Sequence, residues 1–318
     1  MQAPDPDEVS RAAARIAGLV VRTPLIPLQT DDATSDIYLK PEVLQPVGSF
    51  KIRGVGNWAL SLTEDQTRPG IATTSAGNTA MALGYMGRLL GVPARSHVPD
   101  SLHESKREAI AAYGVDLAEV SMTELMRFMF EETWRDEPYT YLNPWGEPLM
   151  IAGHGTIGTE VFEDLPELDS IFIPVGGGAL LSGVASVLKD LKPSVKVLAV
   201  QAEVNSALAA AFEAGEPTWI DWHDTIVEGA STPVITDEMF PLLRRLVDEV
   251  VLVSEREVMD AMRRLALGDK LVTEGAGAAA VAAALATPVE ERGLSVCVVS
   301  GGSVDSELFA EVVTGKSG

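Results

Sequence analysis

The chain has 318 residues and a formal net charge of −22, from 24 Lys and Arg against 46 Asp and Glu. An acidic surface of that size repels phosphate backbones, so nucleic acid is excluded as an expected partner. No apolar run reaches the roughly 18 residues of a membrane span, and residues 1–11 lack the pattern of a secretory signal. A single cysteine, Cys297, excludes an internal disulfide. We therefore expect a globular, cytoplasmic protein that does not bind membranes.

Short β-branched runs alternate with longer helical stretches along the chain. The strand candidates are 36–40, 70–74, 94–98, 116–120, 170–174, 195–201, 249–253 and 294–299. The helix candidates are 6–20, 51–61, 78–90, 104–112, 122–132, 153–164, 180–191, 207–214, 241–247, 255–266 and 274–286. Strands separated by helices of this length predict right-handed crossovers and parallel sheets covered on both faces. The predicted class is α/β, with two lobes that each contain a mainly parallel sheet flanked by helices.

The lobe boundaries are predicted from clusters of Pro, Gly and Trp near 64–69 and 139–148. They divide the chain into a large domain, residues 1–64 and 146–318, and a small inserted domain, residues 65–145. No fixed-period repeat or low-complexity tract interrupts this pattern.

Four segments contain candidate functional chemistry, and the first is the string GSFKIRG at 48–54. Lys51 opens a predicted helix, where the helix dipole favours an anion. An amine with a lowered pKa tolerates that position and can form a Schiff base. The alternative is an exposed surface lysine.

The second segment is VGGGAL at 175–180, after a predicted strand. Glycines at a strand-to-helix turn let backbone N–H groups approach a phosphate, and the start of the next helix stabilises its charge. Leu181 stands where a dinucleotide fingerprint needs a third glycine, so phosphate binding is predicted without a dinucleotide. The alternative is an ordinary tight turn.

The third and fourth segments also follow predicted strands. TTSAGNT at 73–79 offers backbone and hydroxyl donors to a carboxylate, and Asn78 can meet a hydroxyl or a phenolate. Its alternative function is to cap the next helix through Asn78 or Ser75. SGGSVD at 300–305 lies where ligands bind parallel sheets, at the carboxyl end of a strand.

Other catalytic arrangements are missing from the sequence. The four histidines have no metal-ligand spacing, no Gly-x-Ser-x-Gly elbow occurs, and Cys297 lies inside an apolar run where a thiol is usually inert.

In this order and spacing, the four segments resemble the fold-type II pyridoxal-phosphate enzymes, whose fold is that of the tryptophan synthase β chain. The resemblance is strongest to the branch that holds threonine/serine dehydratases and serine racemases, and it extends from Thr23 through Ser300. It implies a large domain that binds the cofactor pyridoxal 5′-phosphate. Cofactor contacts are implied for Phe50, Lys51, Asn78, Gly176, Gly177, Gly178, Ala179, Leu180 and Ser300. Substrate contacts are implied for Ser75, Ala76, Gly77, Thr79, Trp145 and His154.

The implied activity is that of a lyase that removes the β-hydroxyl of a hydroxy-amino acid and gives a 2-oxo acid and ammonia. Lys51 would be both the anchor of the cofactor and the catalytic base for the α-proton. The implied partner is a small amino-acid substrate, and the implied assembly is a homodimer. No metal is predicted, because Gln201 and Ala207 stand where related racemases carry carboxylates.

Departures from the family pattern keep alternatives open. Racemases carry a second serine where this chain has Ala76, which disfavours racemization. Thr79 follows the asparagine in place of the usual histidine, as in β-replacement enzymes and threonine synthases. Trp145 lies in an atypical run, and His154 replaces the usual glutamine. The alternatives are a β-replacement or threonine-synthase-like enzyme, a serine racemase, and a non-catalytic protein that binds a phosphometabolite through the glycine loop.

Overall fold

Two sheets organise the computed structural model, which describes residues 1–29 and 36–315. The strands are β1 (Ile26–Pro27), β2 (Ile37–Pro41), β3 (Ile71–Thr74), β4 (Ala94–Pro99), β5 (Val115–Val120), β6 (Thr140–Leu142), β7 (Ser170–Pro174), β8 (Lys196–Ala202), β9 (Glu249–Val253) and β10 (Ser295–Val299). The six-stranded sheet has the order β1-β2-β10-β7-β8-β9, and the four-stranded sheet has the order β5-β4-β3-β6.

Helices cover these sheets. They are α1 (Pro6–Arg15), α2 (Lys51–Ala59), α3 (Glu64–Thr67), α4 (Asn78–Leu90), α5 (Glu104–Ala111), α6 (Met122–Phe130), α7 (Pro148–Asp164), α8 (Ala179–Leu191), α9 (Ala207–Ala214), α10 (Phe240–Leu246), α11 (Glu255–Arg264), α12 (Gly275–Ala286), α13 (Val289–Arg292) and α14 (Ser306–Thr314). None of the helices described is long and apolar enough to cross a membrane.

The strand pairing confirms the predicted α/β class with mainly parallel sheets. Among the described strands, every pair is parallel except β1 with β2. The four-stranded sheet uses only strands between residues 71 and 142. The lobe boundaries given above remain predictions.

The central strands of the larger sheet are covered on both faces, which explains why their sequences are apolar runs. All residues of β7 and β10 are buried. Alternate side chains of β10 enter two different cores: Val296 and Val298 join one, while Cys297 and Val299 join the other. Because side chains alternate across a strand and both faces are covered, no polar position is needed. Each fully buried aliphatic side chain contributes about 1.5–3 kcal/mol relative to exposure.

Element boundaries differ from the sequence prediction where a local cap or glycine decides them. Helix α1 ends at Arg15 and does not reach residue 20, and Gly18 follows with a φ of 81°. Helix α7 begins at Pro148, five residues before the predicted start, and the Glu147 side chain accepts the Leu149 N–H at 3.2 Å. Proline in the first turn and an acidic cap are typical helix starts. The sequence prediction missed β1, β6 and three helices, α3, α13 and α14.

Candidate active site

A cavity of about 410 Å³ opens where β3, β7 and β10 end. Parallel sheets bind ligands at this edge. The cavity wall contains every residue that the sequence assigned to cofactor or substrate except His154. The four sequence segments, which span more than 250 positions, therefore meet around one space.

Helices α2, α4, α8 and α12 start at this cavity. Within the described part of the chain, no side chain caps any of them, whereas α6, α11 and α14 begin with capping side chains. The predicted capping of α4 by Asn78 or Ser75 is wrong, because its N-cap residue is Gly77 and no described side chain caps it. The first-turn N–H groups of an uncapped helix carry partial positive charge. Their convergence favours an anionic ligand.

The glycine loop before α8 leaves no room for side chains. Gly178 has a φ of +95°, and a Cβ there would lie 2.8 Å from Leu243 Cδ1. A Cβ on Gly177 would lie 3.1 Å from Trp145 Cδ1. Trp145 thus packs against the bare backbone of the loop. This arrangement suits a phosphate held by backbone N–H groups at a helix start.

Lys51 is the first residue of α2, as the sequence predicted, and it lies on the cavity wall. Its Nζ lies 5.1 Å from the centroid of the Phe50 ring. Among residues 1–29 and 36–315, none hydrogen-bonds or ion-pairs with this amine. Burial lowers the pKa of Lys51 to about 8, although the Glu274 carboxylate opposes that shift. A neutral amine is therefore accessible near physiological pH, and a neutral amine is a nucleophile and a base.

Backbone contacts fix Lys51 relative to Ser300. The Phe50 N–H donates to the Ser300 carbonyl at 3.0 Å, and the Gly302 N–H donates to the Gly48 carbonyl at 2.9 Å. The Ser300 hydroxyl donates to the Ala276 carbonyl at 3.3 Å. Since its hydrogen is engaged there, the oxygen offers lone pairs to the cavity.

Side chains of neighbouring strands hold the loop 75–79 and the residue before it in place through hydrogen bonds. The Ser75 N–H donates to Ser96 Oγ at 3.1 Å, and Ser96 Oγ donates back to the Ser75 carbonyl at 2.7 Å. The Tyr141 hydroxyl donates to Thr74 Oγ1 at 2.8 Å. Ala76 contributes only a methyl group, so its position on the wall has no proton carrier.

Glu274 is a cavity residue that the sequence reasoning missed. Its Oε1 accepts a hydrogen bond from Asn78 Nδ2 at 2.8 Å. Burial raises the pKa of Glu274 to about 7. The available signal was a carboxylate directly before the uncharged run GAGAAAVAAALA of α12.

The sequence reasoning also missed an ion pair at the rim of the cavity. Lys106 of α5 forms an ion pair with Glu228, in a short 3₁₀ turn. Both side chains are partly exposed, at 36% and 53%. The pair connects the helix after β4 to the segment after β8, which belong to different sheets.

His154 lies behind the cavity wall. It is fully buried, and its ring packs edge-on against Phe50 with centroids 4.8 Å apart. Burial, reinforced by the nearby Lys51 ammonium, lowers the pKa of His154 well below its usual value. A neutral imidazole therefore supports the Phe50 ring from behind.

Gln201 and Cys297 have structural roles. Gln201 Oε1 accepts the N–H groups of Leu208 and Ala209 at the start of α9, at 2.9 and 3.2 Å. Cys297 is buried, and burial raises its thiol pKa. Across residues 1–29 and 36–315, no three His, Cys, Asp or Glu side chains cluster as metal ligands would.

Comparison with known proteins identifies the family to which this chain is similar. A family model described as "Pyridoxal-phosphate dependent enzyme" matches residues 16–301. The catabolic L-threonine dehydratase of Staphylococcus aureus strain USA300 is 34% identical over 315 residues, covering 96% of this chain and 91% of the relative.

Two solved structures have the same fold as this chain. Maize serine racemase superposes with a TM-score of 0.88 at 30% identity, covering 99% of this chain and 98% of that one. The threonine deaminase of T.th. superposes with a TM-score of 0.84 at 32% identity, covering 95% of this chain and 99% of that one. At this coverage, both similarities extend over both sheets.

Proposed function

The chain belongs to the pyridoxal-phosphate-dependent enzymes of fold-type II, and on that premise we propose that it is an ammonia-lyase acting on a hydroxy-amino acid. The reaction removes the β-hydroxyl of threonine, serine or a close relative and yields a 2-oxo acid and ammonia. The similarity to a threonine dehydratase and a threonine deaminase supports this reaction class. The observation that carries the proposal is the Lys51 amine, which has no hydrogen-bond or ion-pair partner among the described residues, inside a cavity where two loops lead into helices that no described side chain caps.

The residues present fit pyridoxal phosphate. The loop 176–179 would hold the phosphate, because glycine is required there by space and by a positive φ at Gly178. Lys51 would hold the cofactor covalently, and Asn78 and Ser300 would meet polar atoms of its ring. When bound, the cofactor supplies an electron sink for the bond broken at the substrate Cα.

The remaining chemistry falls to the side chains of this chain. Lys51 Nζ, which has no hydrogen-bond or ion-pair partner among the described residues, takes the proton from the substrate Cα. The loop 75–79 orients the substrate carboxylate with the N–H groups at the start of α4, which no described side chain caps. Trp145 closes the wall beside the glycine loop and excludes water from it. Lys51 is thus the base, and the other residues orient or shield.

Elimination is favoured over racemization by the absence of a second base at residue 76. Ala76 lies on the wall but cannot accept or return a proton. β-Replacement needs a second substrate, and Thr79 is the residue that favours it. A small amino acid as substrate and a homodimer as assembly complete the proposal, the latter to be checked by light scattering.

The proposal is tested by measuring 2-oxo acid release from threonine, serine and 3-hydroxyaspartate, with pyridoxal phosphate present and no added nucleophile. We expect release from at least one of them. Lys51→Ala should lower the rate by at least about 100-fold, since general base catalysis alone contributes about 10²–10⁴-fold. Lys196→Ala is the matched control, because Lys196 pairs with Glu249 far from the cavity and should keep full activity.

Three results would overturn the proposal. The first is a purified protein that takes up no pyridoxal phosphate. The second is turnover only when a nucleophile is added, which would indicate a β-replacement enzyme. Exchange of the α-hydrogen with inversion, but without 2-oxo acid, would instead indicate a racemase.

A further inference from the structure

The side-chain amide of Asn78 is clamped at both ends. Its Nδ2 donates to Glu274 Oε1 at 2.8 Å, and its Oδ1 accepts from Ser303 Oγ at 2.7 Å. An ionised carboxylate can only accept, so Glu274 determines which end of the amide carries the NH₂ group. One N–H of Nδ2 then remains for the cavity.

The chain makes space for the Glu274 carboxyl at this point. A Cβ on Gly301 would lie 2.4 Å from Glu274 Oε1, and a Cβ on Gly229 would lie 3.3 Å from the same atom. The Glu274 N–H donates to the Gly301 carbonyl at 3.1 Å. Two glycines from separate segments thus frame the carboxyl beside Asn78.

Charged groups reach Glu274 from three other elements. Lys51 of α2 and Lys106 of α5 favour its ionised form, while Glu228 in the 3₁₀ turn disfavours it. Burial is the largest influence and raises the pKa to about 7. The carboxyl therefore changes its protonation state within the physiological range.

We propose that Glu274 is a positioning residue that makes the donor offered by Asn78 to the bound cofactor depend on pH. With Glu274 ionised, the Asn78 amide is locked with an N–H toward the cavity. With Glu274 protonated, the carboxyl becomes a donor itself, and the amide can reverse and present oxygen. The cofactor ring then loses a hydrogen bond. The inference concerns the regulation of the site of the proposed function, but its test needs no turnover.

The test is the absorption spectrum of the holoenzyme, recorded without substrate from pH 5.5 to 9. The wild type should show a spectral transition within this range as Glu274, whose pKa burial raises, changes its protonation state. Glu274→Gln should abolish that transition, because an amide does not titrate in this range. Glu228→Gln is the matched control at a neighbouring carboxylate. It should move the midpoint to lower pH, because Glu228 raises the Glu274 pKa.

A double-mutant cycle tests the route through Asn78. In an Asn78→Ala background, Glu274→Gln should cause no further spectral change. Ser303→Ala releases the other end of the amide and should flatten the transition partly. An unchanged midpoint in Glu274→Gln, or an equal effect with and without Asn78, would overturn the inference. Normal spectral behaviour without any 2-oxo acid release would sink the proposed function and leave this inference standing.

Discussion

Lys51 and Arg53 are two cations on α2, two residues apart, and they face opposite surroundings. Residues at i and i+2 lie on opposite sides of a helix. Arg53 is fully buried and forks onto two carboxylates: Glu42 at 2.7 and 2.9 Å, and Glu160 at 2.7 and 2.9 Å. Burial disfavours its charge, yet these carboxylates outweigh burial and raise its pKa. Lys51 lacks such partners among the described residues, and its pKa falls to about 8.

The difference shows that burial alone does not decide the charge of a side chain. Lys40 extends the Arg53 network by donating to Glu160 at 2.6 Å and to the Thr23 carbonyl at 2.6 Å. The paired side holds α2 in place through hydrogen-bonded ion pairs. The cavity side leaves one amine underpaired and therefore reactive. A stable anchor and a reactive group thus share one helix of nine residues.

Removing the centre of the paired network should have the largest effect on stability. Arg53→Met leaves Glu42 and Glu160 without their main partner, which costs about 3–5 kcal/mol for a buried pair. Urea unfolding at pH 7.5 measures the loss. Arg22→Met is the control, because Arg22 pairs with Glu163 and Asp164 at the surface and should cost less than about 1 kcal/mol. Equal losses in the free energy of unfolding for Arg53→Met and Arg22→Met would contradict the difference between the buried network and the surface pair.

The cavity side should respond in the opposite direction. In protein free of pyridoxal phosphate, Lys51→Met removes a half-buried amine that has no hydrogen-bond or ion-pair partner among the described residues, so it should stabilise the fold by up to about 3 kcal/mol below pH 8. The gain should shrink as pH rises from 8 toward 10.5. Between those values the unfolded Lys51 binds more protons than the folded one, so the wild type gains stability with pH.

The measurement is paired urea unfolding of wild type and Lys51→Met at pH 7.5 and pH 10. Other titrating groups cancel in the difference between the two proteins. A stabilisation that does not change with pH would show that Lys51 is solvated in the folded state.

The rim pair should give the smallest effect. Lys106→Met removes a partly exposed ion pair with Glu228, which is worth less than about 1 kcal/mol. Urea unfolding should therefore barely change. Glu249→Gln, which removes the exposed partner of Lys196, is the matched control. If Lys106→Met lowered the free energy of unfolding as much as Arg53→Met, the rim pair would contribute to stability as the buried network does.

The features of the site that depend on short stretches of chain could be predicted from the sequence. Lys51 at a helix start and the glycine loop at 176–178 are recognisable because helix dipoles and missing side chains act over a few residues. The helices α4 and α9 have the predicted bounds because a glycine in the left-handed region follows each of them, and the apolar strand β7 also has its predicted bounds.

The remaining half depends on packing between distant segments. Glu274 meets Asn78 across 196 positions, and Lys106 meets Glu228 across 122. In an acidic chain neither carboxylate stands out before the fold brings it to the cavity. His154 illustrates the same limit, since its place behind Phe50 follows from how α7 packs against α2.

The strand order has a consequence for synthesis. Strand β10 fills the slot between β2 and β7, and it is the last of the described strands to be made. The four-stranded sheet has all its strands once residue 142 has left the ribosome. The facing edges of β2 and β7 must wait for residues 295–299. A nascent chain therefore carries two unpaired apolar edges until its final strand arrives, and unpaired edges of this kind invite aggregation.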